Sequence, residues 1–149
     1  MKPGDLHGPA PDFAAIDVSF ISLKLILPAL RDIFAEAGRA GGTGAMGECV
    51  ALIKPQFEAG REQVGKSGVV RDSRVHAGVL REVLGFADDL GFALQGLTFS
   101  PITGGEGNIE FLACWRLSKV PLGGAWKDGE LESLIEQVVR EAHETFQGK

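Results

Sequence analysis

Three charged residues far apart in the chain, Asp17, Lys54 and Glu110, have the types and local settings that proton chemistry needs. Lys54 closes the apolar run 49–53 and is followed at once by Pro55, so its ammonium belongs at the mouth of a strand. Asp17 interrupts the apolar segment 13–20, and Glu110 lies near the start of the apolar segment 109–117. Two flanking carboxylates would hold a lysine in place and favour its protonated form, whereas burial would oppose that, and such a set at one rim reads as a candidate site. Each residue also has a simpler reading. Asp17 can be an acid favoured at a helix start, Lys54 a solvated strand end, and Glu110 an outward-facing strand residue. The chemical reading holds only if the fold brings all three to one place.

The elements that must do so follow from hydrophobic periodicity. Residues 1–12 are rich in Gly and Pro and read as an irregular lead-in. Segment 13–20 (FAAIDVSF) reads as a short buried strand. Leu23, Ile26, Leu27, Leu30, Ile33 and Phe34 recur at helical spacing within 21–36, with Ser22 as a cap. Pro28 lies too deep for a first-turn proline and predicts a kink, or a turn before the helix proper. Segment 38–47 (GRAGGTGAMG) reads as a linker, because a phosphate loop needs a lysine-serine or lysine-threonine end and a following helix.

The nearly continuous apolar run 49–53 predicts a parallel strand covered on both faces. Asp72 or Ser73 then caps a helix whose stripe is His76, Val79, Leu80, Val83, Leu84, Ala87 and Leu90, stopped by Gly91. His76 reads as a packing residue at the edge of that stripe. Segments 92–100 and 109–117 are two further strands. Their connection is too short for a parallel crossover, so they must be antiparallel. Leu131, Leu134, Ile135, Val138, Val139, Ala142 and Phe146 mark a final helix with an acidic, solvated polar face.

Strand–helix alternation predicts an α/β sheet of three parallel strands plus one antiparallel strand, with helices on both faces. Ligands bind such sheets beyond the carboxyl ends of the parallel strands. Asp17, Lys54 and Ser100 fall at that rim. Glu110 reaches it too, because its strand starts there after a tight turn. Topology alone therefore predicts the convergence.

Composition bounds the rest. At 149 residues, with 44% hydrophobic and 23% charged residues, the chain suits one globular domain. No apolar run approaches the roughly 20 residues of a membrane span, and the N-terminus has no apolar secretory region. Cys49 and Cys114 lie inside apolar runs and read as reduced core residues, which points to the cytoplasm. A net charge of −5 argues against a free-standing nucleic-acid binder. Locally, Lys54, Arg61, Lys66, Arg71 and Arg74 face Glu58, Glu62 and Asp72, five against three, a weak basic patch.

Three stretches, DVSFISL (17–23), LIKPQFEAGREQVGKSGVVRD (52–72) and SPITGGEGNIEFL (100–112), resemble the TlyA (hemolysin A) family. That family is similar to FtsJ-type ribosomal RNA 2′-O-methyltransferases. One departure is Gly105, where the family commonly has proline. The resemblance implies a partial Rossmann-like methyltransferase sheet, S-adenosylmethionine as cofactor, and a ribose 2′-hydroxyl of ribosomal RNA as substrate. It implies catalytic roles for Asp17, Lys54 and Glu110. Asp17, Ser19 and Phe20 would face the cofactor, and Gln56, Phe57, Arg61, Lys66 and Asn108 the substrate; no metal is implied.

By the same resemblance, residues 13–149 correspond to the C-terminal half of a catalytic domain. The family's first catalytic lysine, its glycine-rich cofactor turn, the acid for the cofactor ribose and a small basic RNA-binding domain have no counterpart among these residues. Weak or absent cofactor binding and an inactive or weakly active chain are therefore expected. The first strand would be an exposed edge, covered by the N-terminal tail or by homodimer formation through 13–20. A non-catalytic remnant that binds RNA or a protein is the main alternative. Membrane lysis is disfavoured by the acidic face of the final helix.

Overall fold

A computed structural model describes residues 2–9, 11–41, 45–118, 126 and 129–147. Its elements run β1 (Phe13–Ile16), α1 (Leu23–Gly41), β2 (Ala45–Ile53), α2 (Pro55–Glu58), α3 (Ser73–Asp89), β3 (Phe92–Phe99), β4 (Phe111–Ser118) and α4 (Glu130–Gln147). Short 3-10 turns occur at Pro3–Asp5, Arg61–Gln63 and Gly105–Gly107. The lead-in is thus partly turned. Part of the glycine linker, residues 42–44, and most of the connection before α4 lie outside the described residues.

The sheet order is β1-β2-β4-β3. β1 pairs parallel with β2, whereas β4 is antiparallel to both β2 and β3. β1, β2 and β3 therefore point the same way, and β4 returns between β2 and β3. This is the expected set of three parallel strands and one antiparallel strand. β1 is the expected edge, with Phe13 56% exposed.

The helix layer needs a correction. Helices were expected on both faces, yet α1, α3 and α4 share one face among the described residues. α3 contacts both α1 and α4, and one continuous core joins all three to the sheet. Cys49, Ala51, Ile53, Phe111, Ala113, Trp115, Phe92 and Leu94 point into that core and are buried. On the opposite side Val50, Leu52, Leu112 and Cys114 are only half-buried. A short apolar run does not reveal whether its second face is covered, and that ambiguity explains the difference.

Local sequence accounts for the elements. Leu23, Leu27 and Phe34 of α1 are buried at helical spacing, and the Ser22 hydroxyl accepts from Lys24 N (3.1 Å). α1 runs unbroken through Pro28, so no separate turn precedes it. β2 starts earlier than the apolar run, through Gly47 at a register shift. A Cβ on Gly47 would lie 2.7 Å from the buried Phe34 ring, so glycine here lets α1 close onto the sheet. Asp72 caps α3 by accepting from Arg74 N (2.8 Å), as expected, and Gly91 (φ +98°) turns the chain into β3. Both cysteines are free. Burial, with Cys114 nearby, pushes the Cys49 thiol up to about 12.

Candidate active site

β1 and β2 pair in parallel register with Ile16 beside Ala51, so both strands end at one rim. The first residue past β1 is Asp17 and the first past β2 is Lys54. Lys54 is held extended (φ −111°, ψ 98°), as a residue before proline should be, and Pro55 opens α2 as its first residue. The chain therefore turns sharply at Lys54. Its side chain, only 11% exposed, reaches sideways so that Nζ lies 2.5 Å from Asp17 Oδ1 and 3.2 Å from Ser19 Oγ. Asp17 is 69% exposed and keeps most of its carboxylate open to the rim.

Glu110 arrives from the other side. It immediately precedes β4 and is 8% exposed. Its Oε2 accepts from Gln56 Nε2 at 3.0 Å, and Gln56 is the second residue of α2. The described contacts thus join Asp17 to Lys54 directly and bring Glu110 alongside through Gln56. Gly104 leaves the room that Glu110 occupies, since a Cβ there would sit 2.3 Å from Oε2. Gln56 Oε1 is buried and has no hydrogen-bond partner among the described residues.

Two aromatic rings border the pair. Phe20 is 89% exposed, adopts φ +65°, and packs its ring 4.8 Å from that of Phe57. A bulky residue in the left-handed region is strained, and an exposed one gains little burial in return. Of the remaining expected substrate residues, Arg61 and Lys66 are exposed on the loop after α2. Asn108 is buried, and its amide is spent on backbone. It accepts from Val70 N (3.0 Å) and donates to Gly68 O (3.0 Å) and Gly105 O (2.9 Å).

Several residues were missed by sequence reasoning. Glu58 accepts from Ser22 Oγ (2.6 Å) and Leu23 N (2.8 Å), capping α1 from α2 and tying the two rim segments together. Burial raises its carboxyl above the usual range, and the Ser22 hydrogen bond pulls it back. His76, expected at the edge of its stripe, is instead fully buried and bonded to His143. No local signal marks either pairing, because the partners are 36 and 67 residues apart.

Comparison with known proteins gives the arrangement its context. Residues 2–117 match the FtsJ-like methyltransferase family. The "Putative rRNA methyltransferase YqxC" of Bacillus subtilis is 48% identical over 149 residues, covering 99% of this chain and 48% of that protein. The "16S/23S rRNA (cytidine-2'-O)-methyltransferase TlyA" of Mycobacterium tuberculosis is 39% identical over 100 residues, 67% of this chain and 34% of its own. A solved structure, "Putative hemolysin from Streptococcus thermophilus", superposes with a TM-score of 0.83 at 47% identity, covering 99% of this chain and 48% of that one. The chain thus spans about half or less of each of these relatives. With the family model matching most of its length, this chain belongs to the FtsJ-like methyltransferase family.

Proposed function

We propose that this chain carries the acceptor side of a methyltransferase site that modifies the ribose 2′-hydroxyl of ribosomal RNA. The observation that carries the reading is the Lys54–Asp17 pair at the strand rim, with Glu110 held beside it through Gln56. S-adenosylmethionine, when bound, supplies the electrophilic methyl group. The chain's own residues position the hydroxyl and handle its proton. Lys54 Nζ, fixed by Asp17 and Ser19, orients the 2′-oxygen and steers its proton. Glu110, held by the Gln56 amide, offers a carboxylate acceptor to a ribose hydroxyl. Phe20 and Phe57 offer a ring face for a base or for the cofactor's adenine.

The residues fit the cofactor in part. Asp17, Ser19 and Phe20 stand together at the carboxyl end of β1, with an exposed carboxylate and an exposed ring. They form one wall, and Ser19 is already bonded to Lys54. The chain taken by itself is therefore read as a weak binder of S-adenosylmethionine with little or no transfer activity. The exposed edge β1 supports pairing with a second copy through 13–20. No helix among the described residues is long and apolar enough to cross a membrane. The free cysteines suit a reducing cytoplasm.

Calorimetry with S-adenosylmethionine, paired with nucleoside analysis of ribosomal subunits after incubation, tests this reading. Weak binding and no 2′-O-methylated nucleosides are expected from the chain alone. Micromolar binding would overturn the one-wall assignment. Methylation of a base rather than a ribose would overturn the substrate.

A further inference from the structure

A run of buried hydrogen bonds leads from the last helix to the wall that holds Glu110. His76 Nε2 lies 3.0 Å from Val70 O, and His76 Nδ1 lies 2.8 Å from His143 Nε2. A carbonyl oxygen only accepts, so the proton at that contact belongs to His76 Nε2. Neutral His76 then accepts at Nδ1, and His143 Nε2 donates. The geometry admits this one tautomer pair. Beyond Val70 the run continues, because Val70 N donates to Asn108 Oδ1 and the Asn108 amide donates to Gly68 O and Gly105 O. Gly104 N in turn donates to Asn108 O at 2.7 Å. Gly104 is the residue against which Glu110 packs.

Both backbone polar groups of Val70 are therefore held by buried side chains, one from the helical layer and one from the rim loop. Val70 is 2% exposed, so neither group has water as a substitute partner. The His76 ring also stands edge-on to Phe111, the residue after Glu110. α4, α3, loop 64–71 and loop 101–108 are thereby joined in series.

We propose that His143 and His76 are positioning residues, which through Val70 and Asn108 hold loop 64–71 against loop 101–108 and so fix the wall carrying Glu110. The consequence for methyl transfer rests on the function proposed above. The tether itself is independent of it.

The test measures amide hydrogen exchange in the chain without cofactor or RNA. His143→Leu keeps volume but cannot donate, whereas His143→Gln keeps an N–H donor. In His143→Leu the Val70 and Gly104 amides should exchange roughly tenfold faster, with the central amides of α3 and β4 unchanged. His143→Gln should restore most of the protection. Unchanged exchange at Val70 in His143→Leu would overturn the tether. Equal acceleration of every amide would also overturn it, by reducing the pair to general packing. Should His143→Leu fail to fold, nitrogen NMR of the unmodified chain still decides, because finding the His76 proton on Nδ1 contradicts the tether. Since no step reads methylation, failure here is distinct from failure of the proposed function.

Discussion

Lys54 Nζ sits 2.5 Å from Asp17 Oδ1, across the carboxyl ends of the only described parallel strand pair. The pair is lopsided in exposure, with the lysine side chain 11% exposed and the aspartate 69%. A half-exposed ion pair contributes little to folding, about 1 kcal/mol at most. Asp17→Asn and Lys54→Ala should therefore change the denaturant midpoint only slightly. A loss much above that value in either variant would show that the pair is structural.

Gly104→Ala should displace the Glu110 carboxylate and cost stability. The added Cβ would meet Glu110 Oε2, a flexible end that is nonetheless buried and bonded to Gln56. Moving that carboxylate is expected to cost on the order of 1–3 kcal/mol. A crystal structure of the variant should show the Glu110–Gln56 bond broken. An undisturbed bond would mean that the backbone yields instead.

Phe20 combines 89% exposure with φ +65°, so glycine should be tolerated or even stabilising there. Phe20→Gly is expected to hold or raise the melting temperature while weakening any cofactor or nucleotide binding. A clear drop in melting temperature would show that the Phe20–Phe57 contact stabilises the fold.

The histidine pair gives stability a pH dependence. Burial, with His143 adjacent, pushes the His76 imidazole down to about 4, and burial also lowers His143. Asp72 opposes both shifts, and Arg71, Arg74, Arg81, Arg140, Glu136 and Glu144 line the cleft beside His143. With the folded value below the unfolded one, the unfolded chain binds more protons in between. Stability should be full above about 6.5 and decline as pH falls toward 4, by up to about 1.4 kcal/mol per pH unit for His76. Urea unfolding between pH 7.5 and 4.5 measures it, and His76→Gln should flatten the upper part. A slope unchanged in that variant would assign the effect to carboxylates.

The rim was legible in the sequence because it depends on strand direction, which alternation and connection length determine. Asp17, Lys54 and Glu110 needed no side-chain detail to be placed there. The contacts that fix them were not legible. Glu58 caps a helix that begins 35 residues earlier, and His76 meets His143, 67 residues later. Such pairings depend on how α1, α2 and α4 pack, and no local pattern encodes that. Asn108 was expected to face substrate, whereas its amide ties two loops together. The one-sided helix layer escaped because Val50 and Leu52 are as apolar as their covered neighbours Cys49, Ala51 and Ile53.

Whether Lys54, set by Asp17, works on a ribose 2′-hydroxyl is decided by a fusion protein. This chain would replace the matching portion of the Bacillus subtilis relative, which is 48% identical and of which it covers 48%. The product would be incubated with S-adenosylmethionine and ribosomal subunits, and the nucleosides analysed by mass spectrometry. 2′-O-methylated nucleosides are expected, with Lys54→Ala reducing the rate roughly 100-fold or more while cofactor binding and melting temperature hold. A folded, cofactor-binding fusion that methylates equally well with Lys54→Ala would contradict it.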